Sequence, residues 1–540
     1  MSSQRTTAFD RLRGEEFDVV VVGGGATGTG IALEAATRGL KTVLLERHDF
    51  SSGTSSRSTK LVHGGVRYLE QAVKHADRSQ FHLVREALKE RAVLLHNAPH
   101  LAHPLPLLTP IYGALELPYY FTGLKLYDML AGRANLKPSR LINRDQATER
   151  FPMLRHEGLR GAVEYHDGQF DDARMNVTLA LTAAREGAVV LNYVGVTELL
   201  KQAGHVTGVS AIGSLPGDGG EVEVKAKAVI NATGPFVDAL RKLDDPGTQE
   251  ILKTSSGVHV VLPARFSPPD TGLLIPKTED GRVLFLLPWL GRTLVGTTDN
   301  PAPVEEDPKA SEVDVAYILR HVQHYFDLPV ERSDVLASWS GLRPLVQQEM
   351  VGQLTDEDTT HHGVKRTVST AHGTARISRD HTILVSGSGL ISITGGKWTT
   401  YRRMAEDAVD VAVSHAQLAP LRGSVTETLK LVGATGHVAD GGARLVTEFG
   451  LAPDVAAHLN SSYGDCAPHV ARLAAAGLGE RLAPDLPYLE AEVVYARDNE
   501  FAHSADDVLE RRTRLGFLDS QAAQAVRPRV EELLKSEGAA

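Results

Sequence analysis

Cysteine is the scarcest residue type in this chain: among 540 residues there is one, Cys466. A single thiol excludes an internal disulfide, a dithiol redox pair and a cysteine zinc cluster, and it is typical of a reducing compartment such as the cytoplasm. Long apolar runs are absent too, so the sequence predicts no membrane-spanning helix. Residues 1–16 lack the apolar core of a signal peptide, and we expect them to be disordered.

The chain has fewer basic than acidic residues, with 57 Lys and Arg against 67 Asp and Glu. The resulting net charge of −10 disfavours nucleic acid as a partner. Common site motifs are missing as well: there is no HExxH, CxxC or GxSxG, and His361 and His362 are adjacent rather than one helical turn apart. The sequence therefore predicts neither a metal site nor a serine-hydrolase mechanism.

What the chain does have is a strand, glycine turn, helix and second strand within residues 17–46. Gly23 permits the tight turn, Gly25 lets the backbone approach a pyrophosphate, and Gly28 lets the helix pack closely on the strand. The helix N-terminus favours phosphate groups. Glu46, which follows the second strand, suits the two ribose hydroxyls and disfavours a 2′-phosphate. The segment thus predicts binding of FAD or NAD rather than NADP.

Residues 50–60, FSSGTSSRSTK, are almost all small and hydroxylic. They could form a flexible linker or a loop that contacts phosphate. We favour the loop, because the segment follows the second strand directly and continues without a break into HGGVRY at residues 63–68.

Residues 99–132 mix prolines with aromatic and aliphatic residues. The prolines preclude one spanning helix, whereas aromatics among aliphatics suit a membrane interface. The alternative is an ordinary core with a proline-rich connection.

Later segments fall into two classes. Residues 257–299 alternate apolar and polar residues between turn signals, which predicts antiparallel strands. After about residue 420 the apolar spacing becomes helical, which predicts a separate all-helical domain.

Six motifs occur in one order along the chain: GGGATGTG at 23–30, SSRSTKLVHGGVRYLE at 55–70, VINATGP at 229–235, SGLRP at 340–344, SRDH at 378–381 and GGKWTTYR at 395–402. Together they resemble the FAD-dependent glycerol-3-phosphate dehydrogenase family, within the D-amino-acid-oxidase-like flavoprotein superfamily. The resemblance implies an α/β plus α architecture, in which a Rossmann-like FAD-binding domain is interleaved with an antiparallel-sheet substrate domain and followed by a C-terminal all-helical domain. The expected bounds are 17–75, 160–255 and 375–415 for the FAD-binding domain, 76–159 and 256–374 for the substrate or cap domain, and 420–540 for the helical domain.

The resemblance implies oxidation of sn-glycerol 3-phosphate to dihydroxyacetone phosphate, with hydride transfer to flavin N5. A phosphate dianion needs several cationic or N–H donors, and arginine is the best of them because its fork is planar. The family's substrate site maps onto Arg67, Tyr68, Arg343, Arg379 and Lys397.

Local context supports some of these cations. Arg343 lies in the otherwise apolar SGLRPLV, which is unusual for a surface residue. Lys397 follows a glycine pair at an expected helix start, where a nearby anion would explain a cation. Arg379 could instead pair with Asp380.

A base must accept the hydroxyl proton, and histidine suits this role near neutral pH. The candidates are His259 and His63, and the resemblance favours His259 in the substrate domain. Many close relatives read Gly-Ser-His there, whereas this chain reads Gly-Val-His, which puts a serine-assisted proton path in doubt. The alternative is a packed strand histidine. We expect catalysis to depend on His259 together with Arg343, Arg379 and Lys397.

The resemblance also maps an FAD site onto this sequence. Its expected members are Gly23, Gly25, Gly28, Glu46, Thr54, Ser55, Lys60, Gly64, Val196, Gly234, Gly396, Lys397, Trp398 and Thr399. By contrast, we interpret the adjacent carboxylates Asp171 and Asp172, which precede a helix, as helix caps.

The electron acceptor is left open. The family suggests a membrane quinone, which implies peripheral contact with the cytoplasmic membrane face, and a homodimer is expected. The alternative is a glycerol-3-phosphate oxidase that uses molecular oxygen and releases hydrogen peroxide. An NAD-dependent dehydrogenase is disfavoured because no second dinucleotide fingerprint occurs.

Overall fold

Two sheets dominate the computed structural model, which describes residues 2–65, 69, 78–113, 116–347 and 381–536. The strands are β1 Glu16–Val22, β2 Thr42–Leu45, β3 Leu61–Val62, β4 Ala102–Ile111, β5 Arg140–Asn143, β6 Gly161–Phe170, β7 Val189–Leu191, β8 Val194–Gln202, β9 His205–Gly213, β10 Glu221–Asn231, β11 Leu252–Pro263, β12 Gly272–Ile275, β13 Leu284–Trp289, β14 Arg292–Gly296, β15 Asn300–Pro301, β16 Ala337–Val346, β17 His381–Val385 and β18 Ile391–Gly395.

The first sheet has the order β17-β18-β10-β1-β2-β7, with β8 and β9 continuing from β10. β1 pairs in parallel with both β2 and β10. The apolar run Val19–Val22 makes this possible, because a central parallel strand covered on both faces requires apolar side chains in both directions. The carboxyl ends of β1, β2 and β10 therefore meet at one edge of the sheet.

The second sheet has the order β15-β11-β14-β13-β12-β4-β6-β3, with β16 on β11 and β5 on β6. Its pairs are antiparallel except for β12 with β4. β11 pairs with β16 along ten consecutive positions, from Leu252 opposite Val346 to Val261 opposite Ala337. β3 and β6 also belong to this sheet, although both lie within the segments expected to form the FAD-binding domain. The domain bounds given above stay a prediction.

Helices cover the first sheet and build the C-terminal region. The α-helices are Ser2–Gly14, Ala26–Thr37, Arg78–Asn97, Glu116–Ala131, Arg144–Arg150, Asp172–Arg185, Val237–Asp244, Glu312–Tyr325, Tyr401–His415, Gly441–Phe449, Pro453–Tyr463, Ala467–Leu473, Glu490–Asn499, Leu515–Leu518 and Ser520–Lys535. Across the described ranges, no helix has both the length and the apolar character needed to cross a bilayer.

The expectation that residues 1–16 are disordered is wrong. Ser2–Gly14 is a helix, and its Phe9 and Leu12 are buried against the first sheet. Arg5 of the same helix bonds Asp218, with 2.6 Å between Nε and Oδ1. The segment is polar overall, so its helix depends on these tertiary contacts rather than on an apolar periodicity that the sequence could reveal.

The C-terminal helices share a core with the second sheet. Trp289 and Trp339 of that sheet belong to one buried cluster with Leu515 and Phe517. The rings of Trp339 and Phe517 are 4.8 Å apart in an edge-to-face arrangement. The helical region is thus packed directly against the sheet that carries β11 and β16.

Candidate functional site

The glycine turn after β1 leaves no room for side chains. Gly23 has φ +107°, and a Cβ there would lie 2.7 Å from the carbonyl oxygen of Ala232. A Cβ on Gly28 would lie 1.8 Å from the carbonyl oxygen of Gly23. Gly25 is the N-cap of the helix Ala26–Thr37 and, as a glycine, has no side chain to cap the helix. The turn therefore presents bare backbone and a helix N-terminus, which is the arrangement that binds a pyrophosphate.

Glu46 stands at the end of β2, opposite this turn. Its carboxylate accepts hydrogen bonds from the backbone nitrogens of Gly24 at 2.5 Å and His48 at 2.8 Å. Burial raises the pKa of the Glu46 carboxyl above its ordinary value. The carboxylate is thus held at the place where a dinucleotide fold binds ribose hydroxyls.

A cavity of about 730 Å³ extends from this turn towards the second sheet. Of the residues expected to hold FAD, it is lined by Gly23, Gly25, Glu46, Thr54, Ser55, Val196, Gly234, Gly396, Lys397 and Trp398. Gly28, Lys60, Gly64 and Thr399 are not among its lining residues. The volume lies in the range of cofactor sites, and the bare turn and the ribose-facing carboxylate fit the adenosine diphosphate half of FAD.

The hydroxylic segment 50–60 is an ordered loop between the two sheets. Thr54 Oγ1 donates to the carbonyl oxygen of Leu342 at 2.6 Å. Ser55 Oγ accepts from the backbone nitrogen of Ala26 at 2.9 Å, and its carbonyl oxygen accepts from Trp398 Nε1 at 2.8 Å. These bonds connect the loop to β16, to the glycine-turn helix and to the segment after β18, so the linker alternative does not describe it.

His259 lies on β11, where it is buried and pairs with Gly296 of β14. Its Nε2 is 2.9 Å from Thr59 Oγ1, and its ring stacks on Trp339 with 15° between the planes. A Cβ on Gly296 would lie 2.2 Å from His259 Cδ2, so the glycine makes space for the ring. Burial, followed by the positive charges of Lys60 and Arg343, holds the pKa of His259 well below its ordinary value. The imidazole is therefore neutral at pH 7.

Arg343 lies on β16, one strand away from His259. Its Nη2 donates to Thr297 Oγ1 at 3.0 Å, and its Nη1 is 3.3 Å from Asp299 Oδ1. A Cβ on Gly257 would lie 2.3 Å from Arg343 Nη2, so this glycine leaves the guanidinium its space. The neighbours Leu342 and Pro344 line the cavity. Arg343 thus supplies a half-buried cation close to both the cavity and His259.

The side chain of Lys60, one of the residues expected to hold FAD, makes its contacts within the protein. Its Nζ bonds Asp172 Oδ2 at 2.7 Å and the carbonyl oxygen of Ser56 at 2.8 Å, and it lies 5.2 Å from the centre of the Trp339 ring. Burial is the main cause that lowers the pKa of Lys60 to about 7, against the opposing effect of Asp172. The helix-cap interpretation holds for Asp171, which accepts from the backbone nitrogen of Arg174 at 3.1 Å, whereas Asp172 is part of a buried ion pair.

Gly64 and Thr399 support the site from outside the cavity. The backbone nitrogen of Gly64 donates to the Tyr127 hydroxyl at 2.7 Å. Thr399 Oγ1 accepts from the backbone nitrogen of His63 at 3.2 Å. Both contacts hold the chain at residues 63 and 64.

Three expected substrate residues, Arg67, Tyr68 and Arg379, lie outside the described residues. Sequence reasoning also missed Thr59 and Asp172 as site members. Thr59 belongs to a loop that was singled out, but nothing in a run of hydroxyl residues indicates which of them meets a histidine 200 positions away.

The chain is similar to known FAD-dependent proteins. A family model described as FAD dependent oxidoreductase matches residues 18–402, and one described as the C-terminal domain of alpha-glycerophosphate oxidase matches residues 424–539. Mitochondrial glycerol-3-phosphate dehydrogenase of Bos taurus is 49% identical over 97% of this chain and 70% of its own length. The probable enzyme of that name from Dictyostelium discoideum is 45% identical over 96% and 80%.

Solved structures give the same result. Glycerol-3-phosphate dehydrogenase from Bacillus halodurans, complexed with FAD, is 30% identical with a TM-score of 0.74, and the match covers 99% of this chain and 97% of that one. L-alpha-glycerophosphate oxidase from Mycoplasma pneumoniae, at 16% identity and a TM-score of 0.56, shares the fold; that match covers 77% of this chain and 98% of the oxidase. The fold class and the cofactor expected from the motifs are confirmed. The chain belongs to the FAD-dependent glycerol-3-phosphate dehydrogenase family.

Proposed function

We propose that the chain oxidises sn-glycerol 3-phosphate to dihydroxyacetone phosphate with FAD as the hydride acceptor. The observation that carries this proposal is that a neutral buried histidine, His259, and a half-buried cation, Arg343, lie on the paired strands β11 and β16, and that Leu342 and Pro344, on either side of Arg343, line the cavity that fits FAD. An alcohol oxidation needs a base for the hydroxyl proton, and a phosphate ester needs a cation.

FAD supplies, when bound, a hydride acceptor at N5 of its isoalloxazine ring. The pair of electrons in the C2–H bond leaves with that hydride, the proton of the hydroxyl goes to His259, and a C2=O double bond forms. A histidine with a depressed pKa is unprotonated at neutral pH and can accept the proton. Its Nε2 lies 2.9 Å from Thr59 Oγ1, so the hydroxyl of the substrate would exchange with or join this contact.

Arg343 would bind the phosphate or the developing alkoxide, since a guanidinium can donate two parallel bonds to either group. Lys397, which lines the cavity after the glycine pair at the end of β18, would add a second positive charge. Arg67, Tyr68 and Arg379 complete the proposed substrate site as expectations from the motifs.

A dehydrogenase is favoured over an oxidase by the names of the relatives. The curated proteins that are 45–49% identical are glycerol-3-phosphate dehydrogenases. The oxidase likeness rests on fold at 16% identity and on the name of the C-terminal family model. Electrons would then pass to a membrane quinone.

Peripheral membrane contact follows from a quinone acceptor, because quinones reside in the bilayer. The helix Glu116–Ala131 is a suitable surface, with Tyr119 48% exposed and Met129 72% exposed. Arg133 and Lys137, which follow the helix, are exposed cations that would attract anionic lipid. The cytoplasmic membrane face and a homodimer stay predictions; the mammalian relatives are named as mitochondrial.

The test is anaerobic mixing of the FAD-loaded protein with sn-glycerol 3-phosphate, followed at about 450 nm, where oxidised flavin absorbs. We expect the absorbance to fall after mixing with the substrate. It should then recover rapidly when a soluble quinone is added and slowly when oxygen is added. Flavin that keeps its colour with this substrate would refute the proposed reaction. Rapid recovery with oxygen and formation of hydrogen peroxide would instead identify an oxidase.

A further inference from the structure

A buried charge cluster packs against the hydroxylic loop. It consists of Lys60, Asp172 and Arg514, whose side chains are at most 1% exposed. Asp172 Oδ2 bonds Lys60 Nζ at 2.7 Å, and Asp172 Oδ1 is 3.2 Å from Arg514 Nη2. The cluster joins the loop, the start of the helix Asp172–Arg185 and the C-terminal region, which are far apart in sequence.

The cluster holds the loop by hydrogen bonds to the backbone atoms of the loop. The carbonyl oxygen of Ser56 accepts from both Lys60 Nζ at 2.8 Å and Arg514 Nη2 at 2.7 Å. Asp172 Oδ2 accepts from the backbone nitrogen of Ser58 at 3.0 Å and from its hydroxyl at 2.7 Å. These bonds fix the residues on either side of Arg57 and immediately before Thr59.

Thr59 connects this held segment to the proposed base. Its Oγ1 is 2.9 Å from His259 Nε2. A continuous series of contacts therefore runs from Arg514 through Ser56 and Asp172 to Thr59 and then His259.

Arg514 itself is held firmly. Its backbone is left-handed, with φ +64°, a conformation that is strained for a non-glycine residue. Its guanidinium lies 4.6 Å from the Phe517 ring centre and 5.4 Å from that of Trp289. Since the surrounding packing fixes both the backbone and the side chain, Arg514 can act as a rigid anchor for the loop.

The C-terminal region also forms part of the cavity wall, through Ser504, Asp506, Glu510 and Arg511. The region that carries Arg514 thus borders the cofactor space.

We propose that Arg514 is a positioning residue for the reaction: through Ser56 and Asp172 it fixes the loop that carries Thr59 and so sets the position of His259. This inference rests on the proposed function, because it takes His259 as the base. It assigns the C-terminal helical region a role in assembling the active site.

Arg514→Met is the informative substitution. Methionine has a similar length, packs against the rings of Phe517 and Trp289, and carries no donor. Asp172 keeps its bonds from Lys60 and Ser58. Asp171, whose Oδ1 lies 3.8 Å from Arg514 Nε, keeps its hydrogen bond from the backbone nitrogen of Arg174. Arg514→Lys retains the charge and donors and serves as the conservative variant. Glu500→Gln is the matched control: it weakens another buried ion pair of the C-terminal region, with Arg174 at 2.7 Å, that does not touch residues 56–60.

Two measurements separate positioning from general damage. Hydrogen exchange of peptides covering residues 50–62 reports the order of the loop without any turnover. Stopped-flow flavin reduction reports a rate constant per competent molecule, whereas partial unfolding or loss of FAD lowers the amplitude. For Arg514→Met we expect faster exchange in the loop and a rate constant lowered about 10- to 100-fold, the size expected for displacement of a reacting group by about 1 Å.

Arg514→Lys should recover most of the rate constant, and Glu500→Gln should keep both the loop exchange and the rate constant of the unmodified protein. The inference is overturned if Arg514→Met leaves either quantity unchanged, or if Glu500→Gln lowers the rate constant equally. Failure of the unmodified protein to reduce its flavin with sn-glycerol 3-phosphate would refute the proposed function instead, so the two failures are distinguishable.

Discussion

Thr59 and His259 meet across the junction of the two sheets, with 2.9 Å between Oγ1 and Nε2. The threonine belongs to the loop after β2 of the first sheet, and the histidine to β11 of the second. This contact fixes the imidazole on one side, and the stacked Trp339 ring supports it on another. The hydrogen bond therefore joins the loop beside the cavity to the second sheet.

Thr59→Val removes that hydrogen bond while keeping the shape of the side chain. We expect kcat/KM for glycerol 3-phosphate to fall about 10-fold, which corresponds to one lost hydrogen bond of about 1–1.5 kcal/mol. Thr59→Ser, which keeps the hydroxyl, should stay near the original value. Equal kcat/KM for the valine and serine variants would show that the hydroxyl does not orient His259.

Arg343→Ala should lower kcat/KM about 10- to 100-fold, or 1.5–3 kcal/mol, because it removes a charged hydrogen-bond donor from the substrate. Arg343→Lys should recover only part of this loss, since lysine lacks the planar fork. Arg320→Ala is the control, because Arg320 is an exposed arginine on the helix Glu312–Tyr325. Steady-state kinetics that do not distinguish the Arg343 and Arg320 variants would remove Arg343 from the site.

Gly25→Val should abolish FAD retention, because the new side chain occupies the backbone approach to the pyrophosphate. A Cβ at this position already lies 3.0 Å from Ser55 Oγ. Gly14→Val is the control, since nothing lies within 4 Å of a Cβ there. The ratio of flavin to protein after purification checks the prediction, and a stoichiometric yellow Gly25 variant would contradict the placement of the pyrophosphate.

Lys60 predicts a dependence of stability on pH. Its pKa is about 7 in the folded protein, against about 10.4 in an unfolded chain. Below pH 7 both states carry the proton, and the cost of burying the charge is complete. Between about pH 7 and 10 the folded state loses the proton first, so stability rises with pH by at most about 1.4 kcal/mol per unit.

The Lys60→Met variant should lack this rise of folding stability with pH. We therefore expect the stability of the unmodified protein relative to Lys60→Met, measured by urea unfolding with FAD in excess, to rise between pH 7 and 9. A difference that is constant over this range would show that Lys60 does not change its protonation there.

The proposed membrane surface predicts that Tyr119→Glu with Met129→Glu weakens binding to vesicles of anionic phospholipid. Both residues are exposed on the helix Glu116–Ala131, and glutamate would repel the lipid surface. Val313→Glu, at an 81% exposed position on another helix, is the matched control. Reduction of FAD by glycerol 3-phosphate should persist in all variants. Unchanged flotation of the double variant would exclude this helix as the contact.

Local chemistry made much of the fold and cofactor site predictable. The glycine turn after β1 and Glu46 after β2 were readable because each needs only its own backbone conformation and its immediate neighbours in sequence. The antiparallel strands and the helical tail followed from periodicity for the same reason. His259 and Arg343 were found through motifs, while their spatial relationship was not contained in any motif.

The amino-acid sequence by itself determined the dinucleotide turn, the preference for FAD or NAD over NADP, and the family. Only the tertiary structure decided that Lys60 bonds Asp172, that residues 2–14 form a docked helix, and that Arg514 reaches the loop at Ser56. These features depend on contacts between residues hundreds of positions apart, such as the 342 that separate Asp172 and Arg514. The partner of a buried charge is chosen by packing, which no local pattern records.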